Sequence, residues 1–126
     1  MKKKLCPCTS GEAYKVCCQP YHRGKRPLTP TLLMRSRFAA FALEKVGYIM
    51  QTEQLDTPSS REELIHFCEQ MDFVGLQILA ETELTVTFHA VLLQNGRDAS
   101  FTERSLFEKQ RGRWVYVGAL PLGTKK

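Results

Sequence analysis

The chain has 126 residues, 43% hydrophobic and 25% charged, with a formal net charge of +5. That is the make-up of one soluble globular domain with a core of ordinary size, so disulfides are not needed to hold it. No run approaches the ~18 apolar residues of a membrane span, and the basic start MKKKLCPC lacks the apolar segment of a secretion signal, so a cytoplasmic protein is expected.

Residues 1–19 show neither helical nor strand periodicity but hold four of the five cysteines: Cys6, Cys8, Cys17 and Cys18. In a reducing compartment such clusters hold metal or do redox chemistry. Pro7 keeps Cys6-x-Cys8 extended, Ser10-Gly11 allows the chain to reverse, and EAYKV brings the second pair back. Vicinal cysteines both ligate if one ends a helix and the next lies just beyond it. Four thiolates fill a tetrahedral zinc site and leave no open position, so the expected zinc is structural rather than catalytic. A redox pair is weakened by the absence of C-x-x-C spacing.

Charge is concentrated at the same end. Lys2, Lys3, Lys4, Lys15, Arg23, Lys25 and Arg26 face only Glu12, giving residues 1–30 a net +6 against −1 for the rest. These cations lower the thiol pKa values and point to an acidic partner, either an acidic protein surface or RNA and the ribosome. Only Tyr14 and Tyr21 accompany them, a sparse aromatic complement for RNA. His22 is near enough in sequence to replace Cys18, but a surface histidine is the favoured reading.

Residues 20–30, with Pro20, Gly24, Pro27 and Pro30, read as a semi-rigid connector. The domain proper is expected over 31–126. Thr29 caps a helix with Pro30 at its first position, and Met34, Phe38, Phe41 and Ala42 recur at helical spacing. Gly47 is expected to break or bend this helix, with a second short helix over Tyr48–Glu53. Thr57-Pro58-Ser59 is a stop. Ser60 to Glu63 matches a capping box opening a helix from Arg61 to Gln70, with Leu64, Ile65, Phe67, Cys68 and Met71 inward.

After Asp72 the period becomes two. Strands are expected over 74–81, 84–93, 100–109 and 113–120, joined at Thr82-Glu83, Asn95-Gly96 and Arg111-Gly112. Helices followed by four antiparallel strands give an α+β fold: an N-terminal zinc knob, then helices packed on one curved sheet. Leu84, Val86, Phe88, Ala90 and Leu92 form the inner face, which leaves His89 outside.

No acid–base dyad is legible. His66 falls on a polar helix side, Asp72 reads as a turn residue, and Cys68 as a small core residue. Arg35 and Arg37, two apart, point to different helix faces; exposure or carboxylate pairing is favoured over anion binding. Trp114 and Tyr116 share a strand face, as packing residues rather than a binding platform. Lys109, Arg111 and Arg113 surround a turn as solvated charge.

The run CPCTSGEAYKVCC resembles the SEC-C zinc motif, known from the tail of the bacterial translocation ATPase. Cys6, Cys8, Cys17 and Cys18 match its ligand positions. Thr9 stands where the motif usually has glycine, a departure that bears on the turn and removes no ligand. With CCQPYH, LMRSRFAAF and ERSLFEKQRGRWVYV, nearly the whole chain resembles the YchJ-like family of uncharacterised bacterial proteins. That resemblance implies a SEC-C motif before a domain similar to the nuclear-transport-factor-two cone. The family has no assigned reaction; the leading reading is a zinc-binding adaptor that presents the basic surface to an acidic partner, and the resemblance to the motif of the translocation ATPase favours translation or protein export. An enzyme or small-ligand binder using a cone pocket is the alternative, although the inner strand face looks too apolar for it. Thiol redox or metal sensing through Cys17 and Cys18 is a third reading.

Overall fold

The Thr29 hydroxyl accepts from the Leu32 amide at 3.2 Å and opens the longest helix, so the cap read from the sequence is the one the chain uses. The computed structural model describes residues 4–54 and 59–122. A single 3-10 turn, Tyr14–Val16, precedes four helices: α1 Gln19–His22, α2 Pro30–Ala42, α3 Val46–Gln51 and α4 Arg61–Gln70. Five strands follow: β1 Asp72–Glu81, β2 Thr85–Gln94, β3 Arg97–Asp98, β4 Phe101–Gln110 and β5 Arg113–Leu120. None of the described helices is long and apolar enough to cross a membrane.

The sheet is antiparallel with order β1-β2-β4-β5, and β3 pairs with β2 beside the Asn95-Gly96 turn. β3 is one strand more than expected. It is too short to show a period, because its two residues only extend the turn. β1 begins at Asp72, which is a strand residue rather than a turn residue. Register shifts leave Val74 and Leu79 of β1 without partners on β2, and both side chains are exposed. Such bulges bend a sheet and interrupt its alternation. Each edge is tied at one point to another segment. Thr52–Gln54 runs beside β5, with Tyr116 N donating to Thr52 O at 2.8 Å and Gln54 N to Tyr116 O at 3.0 Å. On the far edge, the Thr9 hydroxyl accepts from Leu76 N at 3.0 Å and so stands in for a neighbouring strand.

The main core joins Leu33, Met34 and Phe38 of α2 to Leu76, Val86, Phe88, Ala90, Leu92 and Phe107 of the sheet. Leu84 is a correction. It lies in the β1–β2 turn and is 46% exposed, while Thr85 turns inward and bonds Thr82 side chain to side chain at 2.6 Å. Helix α2 also buries more than one stripe, since Ser36, Arg37, Ala39 and Ala40 are buried with the apolar residues. It lies between the sheet on one side and the cysteine segment on another.

The break after α2 is not at Gly47, which lies inside α3. Glu44 adopts φ 59°, Lys45 N donates to Ala40 O and Glu44 N to Phe41 O. This pair of bonds is the Schellman ending, here with glutamate where glycine is usual. The turn at Thr57 and Pro58 lies outside the described residues. Ser60 accepts from Glu63 N at 3.4 Å, which is the first half of the capping box.

Candidate metal centre

Cys6 and Cys8 lie on the first arm of a tight reversal. Leu5 bridges Ala13 antiparallel, Cys6 N donates to Glu12 O at 2.8 Å and Tyr14 N to Lys4 O at 3.0 Å. Gly11, at φ 94°, sits in the turn. The return arm is a bridge and then a 3-10 turn. Cys17 closes that turn and Cys18 is the N-cap of α1, so the two vicinal sulfurs belong to different local structures.

All four sulfurs lie within 4.8 Å of one another. Cys8 and Cys17 are 3.6 Å apart, and Cys17 and Cys18 3.9 Å. A tetrahedron of thiolates at 2.3 Å from zinc has edges of about 3.8 Å. The spacing fits one tetrahedral ion, and every cysteine is free of disulfide. Cys6, Cys8, Cys17 and Cys18 would hold a thiophilic cation here, which would cross-link the two arms of the reversal.

Cys6, Cys8 and Cys18 are buried, with only Ala39 completing their buried cluster. Thiolates packed so closely repel one another. Hydrogen bonding from Cys18 draws the Cys8 thiol down to about 4, burial pushes Cys6 up to about 11, and Cys18 rises through the same bond to Cys8. A bound divalent cation would take the place of the remaining protons.

Neighbouring groups hold the sulfurs in position. Ser10 Oγ accepts from Glu12 N at 3.1 Å, which frees its hydrogen for Cys17 Sγ at 3.2 Å. Arg35 Nη1 lies 3.3 Å from Cys8 O and 4.0 Å from its sulfur. Neither exposure nor carboxylate pairing describes Arg35, because α2 turns this face toward the cysteines. Arg37 does pair with a carboxylate, Glu53, at 3.4 Å.

His22 is corrected too. It is half-buried rather than at the surface, and its ring is used at both nitrogens. Nε2 donates to Ser36 O at 2.8 Å, so Nδ1 is the acceptor for the Tyr14 hydroxyl at 2.6 Å. Burial holds its pKa below the ordinary value, which suits this neutral form. The ring thus ties α1 to α2 and has no nitrogen free for a metal. Thr9 adopts φ 61°, the region that favours glycine and is strained for a β-branched residue. Its tie to Leu76 is the compensation, one that sequence spacing does not reveal.

Lys4, Lys15, Arg23, Lys25 and Arg26 are all exposed, and Lys2 and Lys3 lie outside the described residues. Lys4, Lys15 and Arg23 line one shallow groove with Tyr14, Val16 and Gln19. Arg26 extends toward the β4–β5 turn, its Nη1 3.7 Å from where a Cβ on Gly112 would lie. That contact brings the late cluster around Arg111 beside the N-terminal one. His66 is exposed and Cys68 buried, as expected. His89 lies on the outer face with Nδ1 2.9 Å from the Thr102 hydroxyl. Trp114 Nε1 donates to Leu28 O at 3.3 Å.

Comparison with known proteins fits this geometry. The family described as "YchJ, middle NTF2-like domain" matches residues 29–119. A UPF0225 protein of Deinococcus radiodurans is 40% identical over 118 residues, covering 92% of this chain and 88% of that protein. The UPF0225 protein YchJ of Shigella dysenteriae is 32% identical over 123 residues, covering 90% and 81%. The solution structure of a SEC-C motif containing protein from Rhodopseudomonas palustris matches with a TM-score of 0.84 at 34% identity, covering 94% and 98%. A SEC-C motif protein from Psychrobacter arcticus shares the fold at TM-score 0.75 and 23% identity, covering 94% and 84%.

Proposed function

This chain belongs to the YchJ-like family of UPF0225 proteins, and from that premise we propose that it is a cytoplasmic interaction module whose zinc-ordered N-terminal segment offers a basic surface to an acidic partner. The observation that carries the reading is the position of the charges around the sulfurs. Lys4 precedes the first arm, Lys15 lies in the 3-10 turn, and Arg23 follows α1. A metal that fixes those three pieces also fixes the spacing of the three cations that line the groove. Zinc is the ion that four thiolates with no open position suit best. Four thiolates on a divalent ion carry −2, so the segment stays cationic when loaded.

The partner is an acidic protein face or the phosphate backbone of RNA, in translation or protein export. Salt dependence separates the two, because displaced counterions give polyphosphate binding a steep log–log slope. The test titrates the metal-loaded chain and its Cys6→Ser, Cys8→Ser variant against a labelled acidic peptide and a labelled single-stranded RNA at stepped salt. The reading expects binding by wild type that the variant loses. Equal binding by both would show that the charges act without the metal-built shape.

A further inference from the structure

The inner face of the sheet, α2 and α4 line a half-open cavity of about 280 Å³, apart from the cysteine segment. We infer that it is a binding site for a small organic cation: an ammonium or amidinium group carried on a flat apolar body.

The walls are aromatic. Phe38, Phe41, Phe67, Phe73, Phe88 and Phe101 line the space. Their rings interlock: Phe41–Phe67 and Phe38–Phe73 meet edge to face at 5.7 Å, and Phe88–Phe101 at 6.0 Å. Phe101, 39% exposed, is the one exposed ring among them and marks the mouth. Such a lining takes a flat apolar body and offers ring faces to a cation. At a water's ~30 Å³ per atom, the volume holds roughly ten non-hydrogen atoms.

The floor is polar, contrary to the expectation of an apolar inner face. The cross-strand register explains why. Glu103 of β4 lies opposite Phe88 of β2, and Ser105 opposite Val86, so both share the inner face with these core residues. The alternation read on β2 alone could not show it.

The charges on the floor do not cancel. Arg37 bonds α3 and the two residues after it: Nη1 donates to Ile49 O at 3.0 Å and Thr52 Oγ1 at 2.8 Å, and Nη2 to Glu53. Its guanidinium carbon lies 4.7 Å from the centroid of the Tyr116 ring. Glu53 is further held by Ser59 N at 2.8 Å. Glu103 receives only neutral donors: Ser105 Oγ at 2.7 Å and Tyr116 OH at 2.8 Å, both on Oε2. Among the described residues it has no ion pair, and Oε1 accepts from none of them. Burial and Glu103 raise the Tyr116 pKa, which keeps the phenol a donor.

One carboxylate therefore faces an aromatic cavity without a counter-charge. An anionic ligand would meet two carboxylates against one arginine, which is already paired with Glu53. A purely apolar ligand would strip water from Glu103 and return nothing. An ammonium answers both features, since its charge meets Oε1 and its body meets the rings. The site lies apart from the four sulfurs and stands whether or not they bind metal.

The test uses the full metal-loaded chain and three probes on one skeleton: 3-phenylpropylamine as cation, 3-phenylpropanol as neutral form, and 3-phenylpropanoate as anion. Calorimetry gives the affinities and aromatic NMR locates the contact. The expected result is that the amine binds at least about tenfold tighter than the propanoate and shifts the Tyr116 and Phe101 ring signals. Glu103→Gln should weaken the amine by about tenfold and leave the alcohol within about threefold. Ala90→Leu, which narrows the cavity and leaves the charges in place, should block all three. The inference is overturned if no probe binds at ~10 mM, if propanoate matches the amine, or if Glu103→Gln leaves the amine unchanged. Should Glu103→Gln fail to fold, the order of the three probes on wild type decides alone.

Discussion

The cysteine segment and the helix–sheet body are held together by different physics. The body closes over Leu33, Phe38, Phe88, Leu92 and Phe107, all 3% exposed or less. Its stability comes from apolar area removed from water. The cysteine segment has no comparable interior, for its buried cluster is three cysteines and Ala39. With so little apolar surface to bury, it rests on a few polar ties to the body, Thr9 to β1, Arg35 to Cys8 and His22 to α2, and on the sulfur coordination proposed for it. A short segment without a core is thus specified by chemistry at a few atoms, while the body is specified by pattern.

The largest expected effect breaks the comparison at the metal. Cys6→Ser with Cys8→Ser should remove nearly all bound metal and abolish amide protection in residues 5–22, because structural zinc contributes ~10 kcal/mol or more. The body should keep its near-ultraviolet dichroism. Simultaneous melting of both regions would show that they are one cooperative unit.

Next is the body's own polar centre. Arg37→Met should destabilise the fold by about 3–5 kcal/mol in urea unfolding, since it leaves Glu53, 7% exposed, buried without its partner. Metal content should not change. Loss of metal in this variant would mean that α2 transmits damage from its sheet side to its sulfur side.

The tie between the regions is weaker. Thr9→Val keeps the shape and removes the hydroxyl, so it should cost about 1–2 kcal/mol and speed hydrogen exchange at the Leu76 amide. Exchange at Leu92, in the core, should stay as it was. The smallest effect is a gain. Glu44→Gly, at φ 59°, should raise stability by about 0.5–1 kcal/mol by relieving the left-handed strain at an exposed helix end.

What the sequence reveals obeys the same division. The Thr29 cap, the serine opening α4, the Asn95-Gly96 turn and the four long strands are local signals, and local chemistry decides them. The cysteine spacing is legible for the same reason, because four ligands within thirteen residues leave few other arrangements. Hidden features depend on contacts that no periodicity or motif marks. Glu44 ends α2 in place of Gly47 because Ala40 and Phe41 carbonyls are there to accept. Leu84 is exposed because Thr85 has Thr82 to bond. His22 is enclosed because Tyr14 and Ser36 approach it from both sides. Glu103 faces inward because β4 takes its register from β2, and a glutamate in a strand carries no mark of which face it will occupy.

The most direct measurement is native mass spectrometry of freshly purified, reduced protein, paired with hydrogen exchange before and after chelation. The account predicts one zinc ion per chain and protection over residues 5–22 that vanishes with the metal while the sheet amides stay slow. A metal-free chain with the same segment fully protected would contradict it.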